Sequence, residues 1–189
     1  MRMRWLAALI FAVGLAAGFG AGMTGTAHAS DPARPGNPWN EILLPFGHGQ
    51  GTTLCVDVPG GTTAPGARLQ LYHCHGYASD GAPQRWHFHG GRFAEVSNPG
   101  SDLCIGFPDA GAPADGARLV QESCDQAPGW QLVSRGRDGA DPHVVLETSG
   151  PGGPALCMAA ADLSGDNQTP LVAAPCQGFG NAAEIMELG

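Results

Sequence analysis

Leu54-Cys55-Val56-Asp57-Val58-Pro59-Gly60-Gly61-Thr62-Thr63-Ala64-Pro65-Gly66-Ala67-Arg68-Leu69-Gln70-Leu71-Tyr72-His73-Cys74 occurs three times in this chain, twice in eroded form. Leu54-Cys55 is echoed by Leu103-Cys104 and Leu156-Cys157. A second cysteine follows each pair, at Cys74, Cys124 and Cys176. A leucine stands five positions before each second cysteine, at Leu69, Leu119 and Leu171. Gly-Ala-Arg-Leu recurs at 66–69 and 116–119. Self-similarity at a period of about 50 residues governs the fold reading.

The repeat also sorts the cysteines. Six allow many connectivities, but the repeat selects Cys55–Cys74, Cys104–Cys124 and Cys157–Cys176. Each bridge closes a short loop, worth roughly 3 kcal/mol in the chain-entropy model. A zinc site is the rival reading, and the absence of any Cys-x-x-Cys pair weighs against it. Paired cysteines imply an oxidising compartment.

Outward from the repeat, the period-two pattern of strands dominates. Trp86-His87-Phe88, Trp130-Gln131-Leu132 and Met186-Glu187-Leu188 alternate, each shortly after its repeat's second cysteine. Apolar strands are expected at Glu41–Phe46, Arg92–Val96 and His143–Glu147. No stretch after residue 40 sustains helical spacing. The 30 glycines and 16 prolines punctuate short apolar runs. Four strands per repeat, about twelve in all, are therefore expected. Three repeats are too few for a propeller, which takes about four to eight blades. Closing them into a threefold barrel removes the exposed strand edges. The fold class expected is all-β.

At the N-terminus, Arg2 and Arg4 precede an apolar run from Trp5 to Ala17, and Ala27-His28-Ala29 reads as a small-x-small cleavage site. Residues 1–29 are thus expected to be a secretory signal peptide. Residues 30–40 are expected to be a flexible Pro-rich lead-in, and 41–189 the folded domain. The expected localisation is extracellular. No run approaches the ~20 apolar residues of a membrane span. All nine basic residues are arginine, against 17 acidic ones. Without Arg2 and Arg4 seven remain, so the secreted form carries about ten net negative charges. Such a surface repels phosphate backbones and anionic lipids, so neither nucleic acid nor membrane is an expected partner.

Leu-Cys-Val-Asp-Val at 54–58, Leu-Gln-Leu-Tyr-His-Cys at 69–74 and Gln84-Arg85-Trp86 together resemble the ricin B-type lectins, over roughly 41–189. The last tripeptide matches that family's Gln-x-Trp signature. The resemblance implies a β-trefoil that binds carbohydrate, with up to three sites, and no cofactor. Its site residues carry over to Asp57 as hydroxyl acceptor, Tyr72 as stacking ring and Gln70 as amide, with Gln84 from the signature. The family's asparagine before Gln-x-Trp is here Pro83, and His75 or Asp80 is the expected substitute. If Cys55 and Cys74 join neighbouring antiparallel segments, Asp57 is expected opposite Tyr72. In the second repeat Gly106, Glu122 and Pro128 stand where Asp, aromatic and Gln belong, with Asp109 nearby but out of register. In the third, Ala159, Ala174 and Met186 occupy the Asp, aromatic and Trp places. Both sites are expected to be degenerate. Trp86, Trp130 and Met186 are expected in the core.

Each of these residues also has a plainer reading. Asp57 before Val-Pro-Gly-Gly can serve as a turn residue, Tyr72 as a half-buried strand aromatic, Gln70 as an outward polar residue, and Gln84 as a loop brace. His73/His75 and His87/His89 are H-x-H pairs. Four imidazoles would meet if their strands were neighbours, but outward histidines on a polar face are commoner, and no metal is expected. No Gly-x-Ser-x-Gly, His-Glu-x-x-His or phosphate loop occurs, so an enzyme is not expected. The function expected is a lectin binding neutral saccharide, of galactose or xylan type, through the first repeat. The alternative is a protein-interaction trefoil, a toxin-adaptor or protease-inhibitor-like module with a secreted protein partner and decayed sugar sites.

Overall fold

The computed structural model describes residues 41–45, 53–75, 82–90, 93–134, 143–150, 152–177, 183–184 and 186–188. The expected signal peptide, the lead-in and Asp80 lie outside them. Twelve strands occur among these residues, four per repeat. The first repeat supplies β1 (Ile42–Pro45), β2 (Thr53–Asp57), β3 (Gln70–His73) and β4 (His87–His89). The second supplies β5 (Glu95–Asn98), β6 (Leu103–Gly106), β7 (Val120–Glu122) and β8 (Gln131–Ser134). The third supplies β9 (His143–Ser149), β10 (Ala155–Ala160), β11 (Thr169–Pro175) and β12 (Met186–Leu188). Strand β5 begins at Glu95, later than the expected Arg92.

The outer strands of the repeats form the barrel staves. β1 pairs with β12, β12 with β9, β9 with β8, and β5 with β4, all antiparallel. A bridge between Ala94 and Trp130 ties the approach to β5 to that of β8. The inner strands pair as hairpins, β2 with β3, β6 with β7 and β10 with β11. Each hairpin carries its repeat's disulfide, Cys55–Cys74, Cys104–Cys124 or Cys157–Cys176. The architecture is a β-trefoil.

The recurrent leucines mark the pseudo-threefold axis. Leu69 N–H donates to the Leu119 carbonyl (2.9 Å), Leu119 N–H to Leu171 (2.9 Å), and Leu171 N–H to Leu69 (3.3 Å). This ring pairs backbone groups that sit beside buried side chains, where an unpaired group would be costly. All three side chains are buried, each worth about 1.5–3 kcal/mol. A second ring surrounds the first. Gly66, Gly116 and Gln168, each three residues before its leucine, donate N–H to Gln121, Ala173 and Leu71. All three adopt positive φ, of 79°, 75° and 69°, so the turn wants glycine and the third repeat supplies glutamine.

Trp86 and Trp130 fill the core without exposure, as does Met186. The indoles also close polar accounts: Trp86 Nε1–H donates to the Val56 carbonyl (3.0 Å) and Trp130 Nε1–H to that of Ile105 (2.9 Å). Met186 has no N–H to offer at the equivalent place.

The two H-x-H segments do not lie side by side. β3 pairs with β2 and β11, whereas β4 pairs with β5 in the other sheet. The four-imidazole arrangement fails because β3 belongs to a hairpin and β4 to the barrel.

Candidate functional site

Asp57 is the last residue of β2, and Pro59 directly after Val58 ends the strand in a 3-10 turn. A proline there cannot donate to a ladder. Val58 N–H instead donates to the Pro83 carbonyl at 3.0 Å, which seats the end of β2 against the turn Ala82–Gln84. Pro83, the departure from the family pattern, thus holds the site through its backbone. The third repeat repeats the contact with Ala160 N–H and the Ala183 carbonyl.

The cross-strand register corrects one expectation. Asp57 lies opposite Gln70, and Tyr72 lies opposite Cys55. The disulfide runs diagonally, because Cys74 stands two residues beyond the partner of Cys55. Asp57 and Tyr72 are therefore diagonal neighbours, about 7–8 Å apart by sheet geometry. One small molecule could touch both.

Asp57 is only 4% exposed, yet both carboxylate oxygens are engaged. Gln70 Nε2 donates to Oδ2 at 2.8 Å, and Gln84 Nε2 to Oδ1 at 3.2 Å. Gln84 also donates to the His73 carbonyl (2.9 Å) and accepts from His75 N–H (2.9 Å). Gln84 is completely buried. With its amide committed on both sides it braces the carboxylate from behind, so the expectation that it touches sugar gives way to a positioning role. Burial pushes the Asp57 carboxyl above its ordinary 3.8, while the Gln70 and Gln84 hydrogen bonds and the charge of His75 pull it back.

Tyr72 is half-buried and faces the same side of β3 as Gln70. The exposed His75 ring stands edge-on to it, 5.7 Å between centroids at 86°, and His73 lies at 6.1 Å and 73°. Asp57, Gln70, Tyr72 and His75 therefore line one hairpin, with Gln84 buried against Asp57 and His75. A carboxylate, an amide and an aromatic face together can accept from hydroxyls, donate to them and cover a C–H surface.

Sequence reasoning missed two residues. Glu41 is buried, and burial raises its carboxyl while Arg85 and then His75 oppose the rise; a charge opening an apolar strand was its one signal. Glu184 is fully buried, and its carboxylate accepts from Gln177 N–H at 3.0 Å. It is the third repeat's counterpart of Gln84, two residues before Met186 as Gln84 is before Trp86.

The register confirms which residues replace the acid, amide and ring elsewhere. Gly106 faces Val120 and Cys104 faces Glu122 in the second repeat. Ala159 faces Val172 and Cys157 faces Ala174 in the third. A Cβ on Gly106 would meet Glu122 Cβ at 3.1 Å and Ala127 Cβ at 3.4 Å, so a side chain at the acid's place in the second repeat would be crowded. A separate shallow depression of about 470 Å³ between repeats two and three is lined by Pro113, Asp115, Pro154, Leu156 and Pro175 among others, and offers one carboxylate without a ring.

Residues 48–181 match the family described as ricin-type beta-trefoil lectin domain. No curated protein matches the chain in sequence. The fold is similar to ThreeFoil, a designed threefold-symmetric protein, at 19% identity and TM-score 0.63, covering 80% of this chain and 98% of that one. It is similar to an exo-β-1,3-galactanase from Clostridium thermocellum at 17% identity and TM-score 0.62, over 82% of this chain and 30% of the enzyme. It is also similar to the ricin B-like lectin of Macrolepiota procera, solved with lactose, at 18% identity and TM-score 0.57, over 79% and 93%.

Proposed function

The chain belongs to the ricin-type β-trefoil lectin family, and from that premise we propose that it is a secreted sugar-binding module working through its first repeat. Asp57 carries the reading: it is a buried carboxylate at the edge of the surface, held by two amides and flanked by a ring. Its proposed role is to accept from a pair of saccharide hydroxyls, since charge-assisted hydrogen bonds are short and directional. Tyr72 then covers the apolar face of the pyranose, Gln70 donates beside it, and His75 walls the far side. A neutral ligand suits a chain with formal net charge −8. Galactose-type and xylan-type saccharides both fit this chemistry. In this reading residues 1–29 direct export, 30–40 lead in, 41–189 bind, and the module acts by binding rather than by catalysis.

A glycan array on the oxidised protein tests the proposal, followed by calorimetric titration with lactose and xylo-oligomers. Binding of one neutral saccharide per chain, lost in Asp57→Ala at unchanged melting temperature, is the expected result. Retention of full affinity in that variant would move the site elsewhere. The decay at Gly106/Val120 and Ala159/Val172 favours a second reading, a trefoil that binds a secreted protein. An empty array together with a stoichiometric partner in pull-downs would establish it instead.

A further inference from the structure

We propose that His87 and His89 on β4 form a surface chelate for a tetragonal divalent cation of the copper(II) or nickel(II) type. Residues two apart on a strand share a face, and the alternation sends Trp86 and Phe88 to the core side while the histidines turn outward. His87 Nδ1 and His89 Nε2 lie 2.9 Å apart, with ring centroids at 3.9 Å. Two metal–imidazole bonds of about 2.0–2.1 Å at a right angle place their nitrogens about 2.9 Å apart, the cis spacing of a square-planar or tetragonal ion. That geometry and donor type suit copper(II) or nickel(II).

The surroundings supply oxygen and charge. Ser97, directly opposite His87, sets its Oγ 2.7 Å from His89 Nε2. Exposed Glu95, directly opposite His89, lends negative charge to the same face from outside the two-imidazole cluster. Its oxygen also lies within 4.8 Å of the Cys104 and Cys124 sulfurs, which are bridged and not ligands. The other H-x-H pair is used differently, since His73 and His75 each lie edge-on to Tyr72. In the metal-free chain one of the two facing nitrogens donates to the other. On binding, that ring moves its proton to its other nitrogen, so both facing lone pairs reach the ion and no redox step is involved. Acid opposes binding, because imidazolium has no lone pair there.

The test is a copper(II) titration of the full, untagged chain in a non-coordinating buffer at pH 7.5, read by calorimetry and electron paramagnetic resonance. One copper per chain with hyperfine structure from two nitrogens is expected. His87→Gln/His89→Gln weakens it at least tenfold, while His73→Gln/His75→Gln keeps it. Equal copper affinity in the first variant, or loss in the second alone, overturns the proposal. Should the double variant fold poorly, the single change at exposed His89 serves, with the same expected loss and the same overturning result.

Discussion

At the scale of single residues, Asp57 poses a conflict between stability and binding. A carboxylate this buried holds its proton more tightly than in the unfolded chain. The sign follows from linkage. Its contribution favours folding below the ordinary value near 3.8 and is lost as pH rises through the raised one. At neutral pH the charged form is therefore a cost that ligand binding would justify. Asp57→Asn is expected to melt at or above the wild-type temperature near neutrality. The gap should vanish near pH 3, where both side chains are neutral. Calorimetric melts across that range check the direction, and a gap that widens on acidification would refute it. Saccharide affinity in the same variant should fall at least tenfold. Gln84→Ala tests the brace: it strips partners from Asp57 Oδ1, the His73 carbonyl and the His75 N–H. A loss of about 1–3 kcal/mol in urea unfolding is expected, with weakened binding although Gln84 is fully buried.

Among the elements, the turns before the central leucines show how one backbone shape is met by different residues. Gly66 and Gly116 take positive φ freely, whereas Gln168 holds 69° with a Cβ attached. The left-handed conformation costs a side-chain-bearing residue roughly 1–2 kcal/mol, and glycine's extra unfolded-state freedom returns part of that. Gln168→Gly is thus expected to stabilise the chain by up to about 1 kcal/mol, or about 2–4 °C at this size. A melting curve decides it, and destabilisation would mean that the Gln168 side chain makes contacts worth more than the strain. The hairpin β2–β3 teaches a related lesson. A disulfide does not fix register by itself, because diagonal and direct partners can both be bridged. The hydrogen-bond ladder placed Gln70, not Tyr72, across from Asp57.

For the whole molecule, the three repeats share one core and cannot melt separately. The leucine ring passes through all of them, and Trp86, Trp130 and Met186 lie in the same apolar cluster. Leu119→Ala, in a repeat without a candidate site, should cost about 2–5 kcal/mol and lower saccharide binding only through unfolding. Calorimetry should show a single transition for wild type and variant alike. Two resolved transitions would refute a common core. The degenerate repeats therefore persist for closure: a barrel with one lobe removed exposes strand edges and part of the shared apolar cluster.

The threefold period, the cysteine pairing, the buried aromatics and the loss of acid and ring from repeats two and three were all decided by the sequence alone. They are properties of spacing and residue type, which recurrence makes visible in one dimension. Only the tertiary structure decided what depends on register and on depth. It turned Gln84 from a ligand contact into a buried brace and gave Pro83 a backbone role. It brought Glu41 and Glu184 inside, and it separated the two H-x-H pairs while closing His87 on His89. The physical reason is that a hydrogen-bond partner is chosen by distance in the folded chain. Residues 57 and 84, or 75 and 84, become neighbours only once the hairpin and the turn have packed together.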